Sequence, residues 1–231
     1  ICWTIDPFCS RLCALLAQKP ACKQVFMPVI AVINRKGGSG KSTLATHLAA
    51  WLAHEGLSVL LGDIDRQQCT RAWLKRRDAH LPAIVPWAMD KGSILKKPSG
   101  ITHVVLDTPG GLHGSRFKEV VKLADKVLVP LQPSIFDMFA TRDFLDELAA
   151  SRHAQSLQIG IVGMRVDART IAADKLQEFV QTLGLPVLGN LRDTQNYVHL
   201  AARGLTIFDV APARGARDLE QWQPLCEWLD R

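Results

Sequence analysis

The sequence contains no run of about 18 uninterrupted apolar residues, which excludes a helix built to span a bilayer. It has no internal repeat, no low-complexity tract and no linker, so nothing divides its main body into separate domains. Cysteine is nearly missing beyond residue 26, where only Cys69 and Cys226 occur. The main body therefore reads as a reduced, cytosolic chain and not as a disulfide framework. Cys2, Cys9, Cys13 and Cys22 crowd the start, but their spacings match no CxxC zinc pattern. The first residues also lack a methionine, a long apolar segment and a signal-peptide cleavage site. Met27 directly precedes the first strand-like run. Residues 1–26 are thus expected to be a non-native or disordered extension, and residues 27–231 a single domain.

What is present supports a globular α/β protein. The 231 residues, 48% of them hydrophobic, suffice to bury one sizeable core. The net charge is +6, of which Arg11, Lys19 and Lys23 against Asp6 supply +2. This mildly basic balance suits DNA, RNA or an acidic membrane surface, and it is also ordinary for a soluble protein. Apolar runs at 28–33, 58–62, 83–87, 103–106, 127–131 and 158–164 show no polar alternation, as strands buried on both faces require. Helical periodicity separates them. Leu44, Leu48, Trp51 and Leu52 form one stripe, and Phe139, Phe144, Leu145 and Leu148 a second. Leu176, Phe179, Val180 and Leu183 form a third, and Leu219, Trp222, Leu225, Cys226 and Leu229 a last one near 216–230. The alternation predicts a doubly wound, mostly parallel sheet with helices on both faces.

The first apolar run feeds into Asn34-Arg35-Lys36-Gly37-Gly38-Ser39-Gly40-Lys41-Ser42-Thr43, and a helix follows. Strand, loop and helix in this order are the context of a phosphate loop. Glycines let successive backbone amides curl around a phosphate without a Cβ clash, and the following helix adds its positive end. Lys41 supplies a point charge to the terminal phosphates, and the Ser42 hydroxyl suits Mg²⁺. The second run ends in Asp63-Ile64-Asp65. Residues two apart on a strand share a face, so both carboxylates would look into the crevice where open α/β sheets bind ligands. The alternative is a pair of solvated turn aspartates. The fourth run ends in Asp107-Thr108-Pro109-Gly110, a hydrophobic strand closing on an acid.

Lys36-Gly37-Gly38-Ser39-Gly40-Lys41-Ser42 resembles the deviant Walker A loop of the ParA/MinD family of P-loop ATPases, with Lys36 on that family's signature lysine. The resemblance covers essentially all of 28–231 and looks nearest to short ParA-type proteins without an N-terminal helix-turn-helix domain. It implies a cytoplasmic ATPase that binds ATP and Mg²⁺ and forms an ATP-dependent homodimer. Lys36 would reach the partner's nucleotide, Asp65 would position the attacking water, and Asp63, Asp107 and Ser42 would serve the metal. Arg66 stands where the family's DxDPQ motif has proline. Val129-Pro130-Leu131-Gln132-Pro133-Ser134 is similar to the family's VPxxPS segment. Arg165 and Pro212 fall where relatives contact adenine, with Met164 in place of the usual asparagine.

What the resemblance implies about cargo is broader. In the ParA group the ATP dimer binds DNA without sequence preference, and a ParB-like or cargo-adaptor protein stimulates hydrolysis. Such a cycle positions plasmid, chromosome or protein cargo over the nucleoid. Arg192, Arg203, Arg214 and Arg217 are the DNA-contact candidates, although Asp193 and Asp218 dilute them and scattered surface arginines are ordinary. Two alternatives stay open: an accessory ATPase of a secretion or polysaccharide-synthesis complex, and a MinD-like membrane switch. The second wants a basic amphipathic end, whereas Glu220–Arg231 is acidic and holds Pro224. An iron–sulfur reductase is disfavoured, because neither Cys69 nor Cys226 follows the fourth run.

Overall fold

A computed structural model describes residues 27–87 and 100–231. The expectation for residues 1–26 lies outside these. The six apolar runs form β1 (Val29–Val32), β2 (Val59–Asp63), β3 (Ile84–Trp87), β4 (His103–Asp107), β5 (Lys126–Leu131) and β6 (Gln158–Val166). A further strand, β7 (Val187–Arg192), has no counterpart among those runs. It is an edge strand in which only Leu188 and Leu191 are buried, and Gly189 and Asn190 break its apolar pattern. The strands make one sheet in the order β3-β2-β4-β1-β5-β6-β7. Every pairing is parallel.

Parallel neighbours need long crossovers, and helices supply them. These are α1 (Lys41–His54), α2 (Cys69–Leu74), α3 (Gly114–Leu123), α4 (Ile135–Ala149), α5 (Ile171–Gln181), α6 (Gln195–Ala202) and α7 (Pro212–Leu229). Side chains of β1 alternate between two cores. Ile30 and Val32 join α1 and α7 through Leu48, Trp51, Trp222 and Leu225. Val29, Ala31 and Ile33 join α3, α4 and α5 through Phe117, Phe144 and Leu176. β1 lies between β4 and β5, where the strand order reverses, so the loop after β1 opens into the crevice that this topology creates.

Two helices differ in detail from the sequence expectation. Phe139, placed by periodicity on the buried stripe of α4, is 61% exposed, beside Ile135 and Phe136. The buried stripe is Met138, Thr141, Leu145 and Leu148 with Phe144, and Phe139 stands one residue, about 100°, off it. The last helix begins at Pro212, earlier than expected, and turns Pro224 toward solvent while Trp222 and Leu225 are buried. Among the described residues no helix is long and apolar enough to cross a membrane.

Candidate functional site

The loop after β1 is held from beneath by Asn34. This residue is fully buried. Its Nδ2 donates to Pro130 O at 2.7 Å and to Thr141 Oγ1 at 3.0 Å, while its Oδ1 accepts from Lys36 N at 2.9 Å. Arg35, in place of the usual first glycine, pairs with Glu147 of α4 and lies over the Phe117 ring. Its carbonyl accepts from Gly111 N at 2.8 Å. Gly40, at φ 97°, makes the turn into α1 in a conformation that an L side chain rarely adopts. A Cβ on Gly110 would come within 3.2 Å of Gly37 Cα, so the loops after β1 and β4 are in backbone contact. Gln132 Nε2 closes the other flank by donating to Gly38 O at 2.7 Å.

The result is a cavity of about 670 Å³ lined by residues 37–43 with Asp65, Gln67, Cys69, Pro109 and Gly110. Backbone amides at the start of α1 and the ammonium of Lys41 make it an anion site. Lys41 Nζ donates to Lys36 O at 2.8 Å and Ser39 Oγ at 3.3 Å. Burial lowers its pKa, and Asp107, Asp65 and Asp137 work against that. The Lys36 side chain is exposed and stands outside the cavity lining.

The three acids differ. Asp107 is buried, and neither carboxylate oxygen has a hydrogen-bond partner among the described residues. Burial pushes its pKa up to about 7, against the opposing pull of Lys41 and of the Ser42 hydroxyl, which is near the carboxylate but short of hydrogen-bond geometry. Two bare oxygens beside a hydroxyl and a phosphate loop fit a hard divalent cation. Ser42 and Asp107 would hold it. No group of three metal-ligating side chains converges among the described residues, so phosphate oxygens and water would complete the shell. Asp63, expected to serve the metal, is occupied by its own turn. Its Oδ1 accepts from Asp65 N at 3.0 Å; its Oδ2 accepts from Thr70 N, Thr70 Oγ1 and Arg71 N at 3.0, 2.7 and 3.2 Å. It fastens the turn into α2 and is not a bare ligand. Asp65 lines the cavity, and its Oδ1 accepts from Gln67 N.

The remaining candidates lie elsewhere. Arg165 pairs with Asp193 on the surface, Pro212 is exposed at the first position of α7, and neither lines the cavity. Met164 instead packs against the loop, with its Cε 2.7 Å from where a Cβ on Gly40 would stand. Arg192 is bound to the buried Asp218 at 2.5 Å, so its charge is already paired within the fold. Arg203, Arg214 and Arg217 are exposed. Sequence reading missed Asn34, Gln67 and Gln132. Asn34 carried a signal, a polar residue closing an apolar run, while the other two act through contacts that only the fold creates.

A family model described as the CobQ/CobB/MinD/ParA nucleotide binding domain matches residues 30–207. The chain is 29% identical over 198 residues to maintenance of carboxysome distribution protein A of Halothiobacillus neapolitanus, covering 82% of this chain and 91% of that protein. It is 31% identical over 212 residues to the protein of the same name from Gloeobacter kilaueensis, covering 88% and 94%. Among solved structures, the ATP complex of a Cyanothece McdA variant shares the fold, with a TM-score of 0.69 at 16% identity over 86% of this chain and 96% of that one.

Proposed function

The chain belongs to the CobQ/CobB/MinD/ParA nucleotide-binding family, and from that premise we propose that it is an ATPase that positions a cellular cargo. In this reading MgATP occupies the cavity, two copies close over it, and the closed dimer holds DNA without sequence preference until a ParB-like or cargo-adaptor protein triggers hydrolysis. The protein would then act in the cytoplasm on the nucleoid. The observation that carries the reading is the bare Asp107 carboxylate beside Ser42 and Lys41 within a complete phosphate loop. Two relatives that cover most of the chain, both named for maintaining carboxysome distribution, favour a positioning role.

Each residue has a task. The amides of residues 37–43 and Lys41 bind the phosphates, and bound Mg²⁺ would neutralise charge that gathers on them. Asp107 and Ser42 hold that ion, Asp65 orients the attacking water, and Asp63 keeps the Asp65 turn in place. Lys36, exposed at the rim, is free to reach the second copy's phosphates. The membrane alternative fits less well, because the apolar positions of α7, Trp222 and Leu225, are spent in the core. The accessory-ATPase alternative predicts no DNA affinity in any nucleotide state.

Calorimetric titration with MgATP tests the reading. Micromolar-range binding that disappears in Lys41→Ala is expected, and no heat from the parent protein would remove its basis. Asp65→Ala should keep ATP bound and lower turnover by about 100-fold or more, the scale of losing a group that acts on the reacting water. An unchanged rate would take Asp65 out of the mechanism.

A further inference from the structure

We propose that the DNA-contacting surface is a cationic face formed by Arg71, Lys75 and Arg76 on and just after α2, together with Arg203 at the end of α6. This deepens the function proposed above and rests on it. Between Asp65 and Asp78 the chain carries Arg66, Arg71, Lys75, Arg76 and Arg77 and no acid. Helical geometry sorts them. Thr70 and Trp73 turn inward and are buried, while Arg71, Ala72, Lys75 and Arg76 are exposed or nearly so. Residues 71 and 75 stand four apart and are joined by the bond Lys75 N to Arg71 O, so their side chains leave on one side. Arg77 is set apart. It makes two 2.8 Å bonds to Asp209 and lies over the Trp73 ring, which anchors the segment to the body.

The fold brings a distant cation to this face. Gly204 packs so closely that a Cβ there would stand 2.5 Å from Arg76 C and 2.6 Å from Arg77 N. Trp73 Nε1 donates to Leu205 O at 3.4 Å. Exposed Arg203 directly precedes Gly204, so its backbone lies close to that of Arg76. Among the described residues, Arg71, Lys75, Arg76 and Arg203 make no ion pair. A group of uncompensated cations suits a regular polyanion, and duplex DNA offers phosphates all along its backbone. The arginines at the start of α7 are a poorer surface. Arg217 lies near enough to Asp218 and Asp167 to help lower both of their pKa values.

The same segment joins the cavity. Asp65, Gln67 and Cys69 line it, and Asp63 fastens Thr70 and Arg71 to the end of β2. Gln68 between them takes the left-handed conformation at φ 51°, which a side chain holds only when its surroundings impose it. A nucleotide that shifts this turn would move the cationic face with it.

The test is fluorescence anisotropy on a mixed-sequence duplex of about 30 base pairs with a non-hydrolysable ATP analogue and Mg²⁺, titrated with salt. The triple variant Arg71→Gln, Lys75→Gln, Arg76→Gln should bind roughly tenfold or more weakly at about 0.1 M salt. Its slope of log K against log salt should be shallower by about 2 to 3. Arg203→Gln alone should lower the slope by about 1, and it guards against loss of fold in the triple variant. The pair Arg214→Gln, Arg217→Gln should leave both quantities nearly unchanged, and all variants should bind MgATP like the parent in calorimetry. An unaltered slope in both the triple variant and Arg203→Gln overturns this surface and leaves the ATPase reading standing. A parent protein that ignores the duplex, or that binds phosphatidylserine vesicles in its place, overturns the surface and the DNA part of that reading together.

Discussion

Asp63 and Asp107 end neighbouring strands and sit opposite each other in register, yet their surroundings are opposite. The end of β2 runs into a turn that aims three amides, those of Asp65, Thr70 and Arg71, and the Thr70 hydroxyl back at Asp63. The end of β4 runs into Thr108, whose hydroxyl donates away, to Val32 O at 2.8 Å, and then into Pro109, which has no amide proton to offer. One carboxylate is therefore saturated and the other is bare. The difference shows why a pair of acids at strand ends is not enough to assign metal ligands. What decides is how many donors the following loop turns back. A carboxylate that accepts four hydrogen bonds has little reason to exchange them for a cation, whereas a bare one is destabilised until something positive arrives.

Exchanging either acid tests this contrast, with the largest effect at Asp107. Asp107→Ala should cut the contribution of Mg²⁺ to ATP affinity by about 100-fold or more, measured as the ratio of affinities with and without the ion, since a principal charged ligand is gone. Asp63→Ala should act on the fold instead. It leaves the buried Thr70 hydroxyl and nearby amides without an acceptor, for a loss of about 2–4 kcal/mol in denaturant unfolding. Mg²⁺ dependence should survive, and if it vanished while stability held, the roles of the two acids would have to be exchanged.

A smaller effect appears in pH dependence. The Asp107 pKa is raised from the usual 3.8 to about 7 in the folded chain, with burial as the main cause. Between these values the native state binds more protons than the unfolded chain does. The ligand-free protein should therefore lose stability as pH rises through that window, by up to about 4 kcal/mol from this group alone. Asp107→Asn should flatten the dependence and raise the ligand-free melting temperature by several degrees on the alkaline side of the window. Mg²⁺ affinity of the parent should rise over the same range, because the ion needs the deprotonated acid. Equal pH profiles for the parent and Asp107→Asn would show that the acid is hydrated and not dry.

Much of this was legible in the chain itself. Six of the seven strands among the described residues announced themselves as apolar runs. For those inside the sheet the reason is that a strand covered on both faces has no polar side to show, whereas β3, at one edge, keeps an apolar sequence although Val85 is 43% exposed. β7 stayed hidden because an edge strand with Gly189 and Asn190 carries a mixed pattern. The phosphate loop was readable because its chemistry is carried by consecutive residues. The roles of Asp63 and Arg192 were not, since each depends on partners that the turn into α2 and the first half of α7 bring in.

The order of the residues by itself determined a parallel α/β sheet, the anion-binding loop from Lys36 to Thr43 and the acids near it. Those features arise from local geometry and short-range periodicity, which neighbouring residues encode. Only the tertiary structure decided which acid is bare, which arginines are already bound, and that Gly204, next to Arg203, packs on the backbone of Arg76 and Arg77. Each of these depends on desolvation or pairing between segments far apart in the chain, and no local pattern records which groups will be taken out of water together.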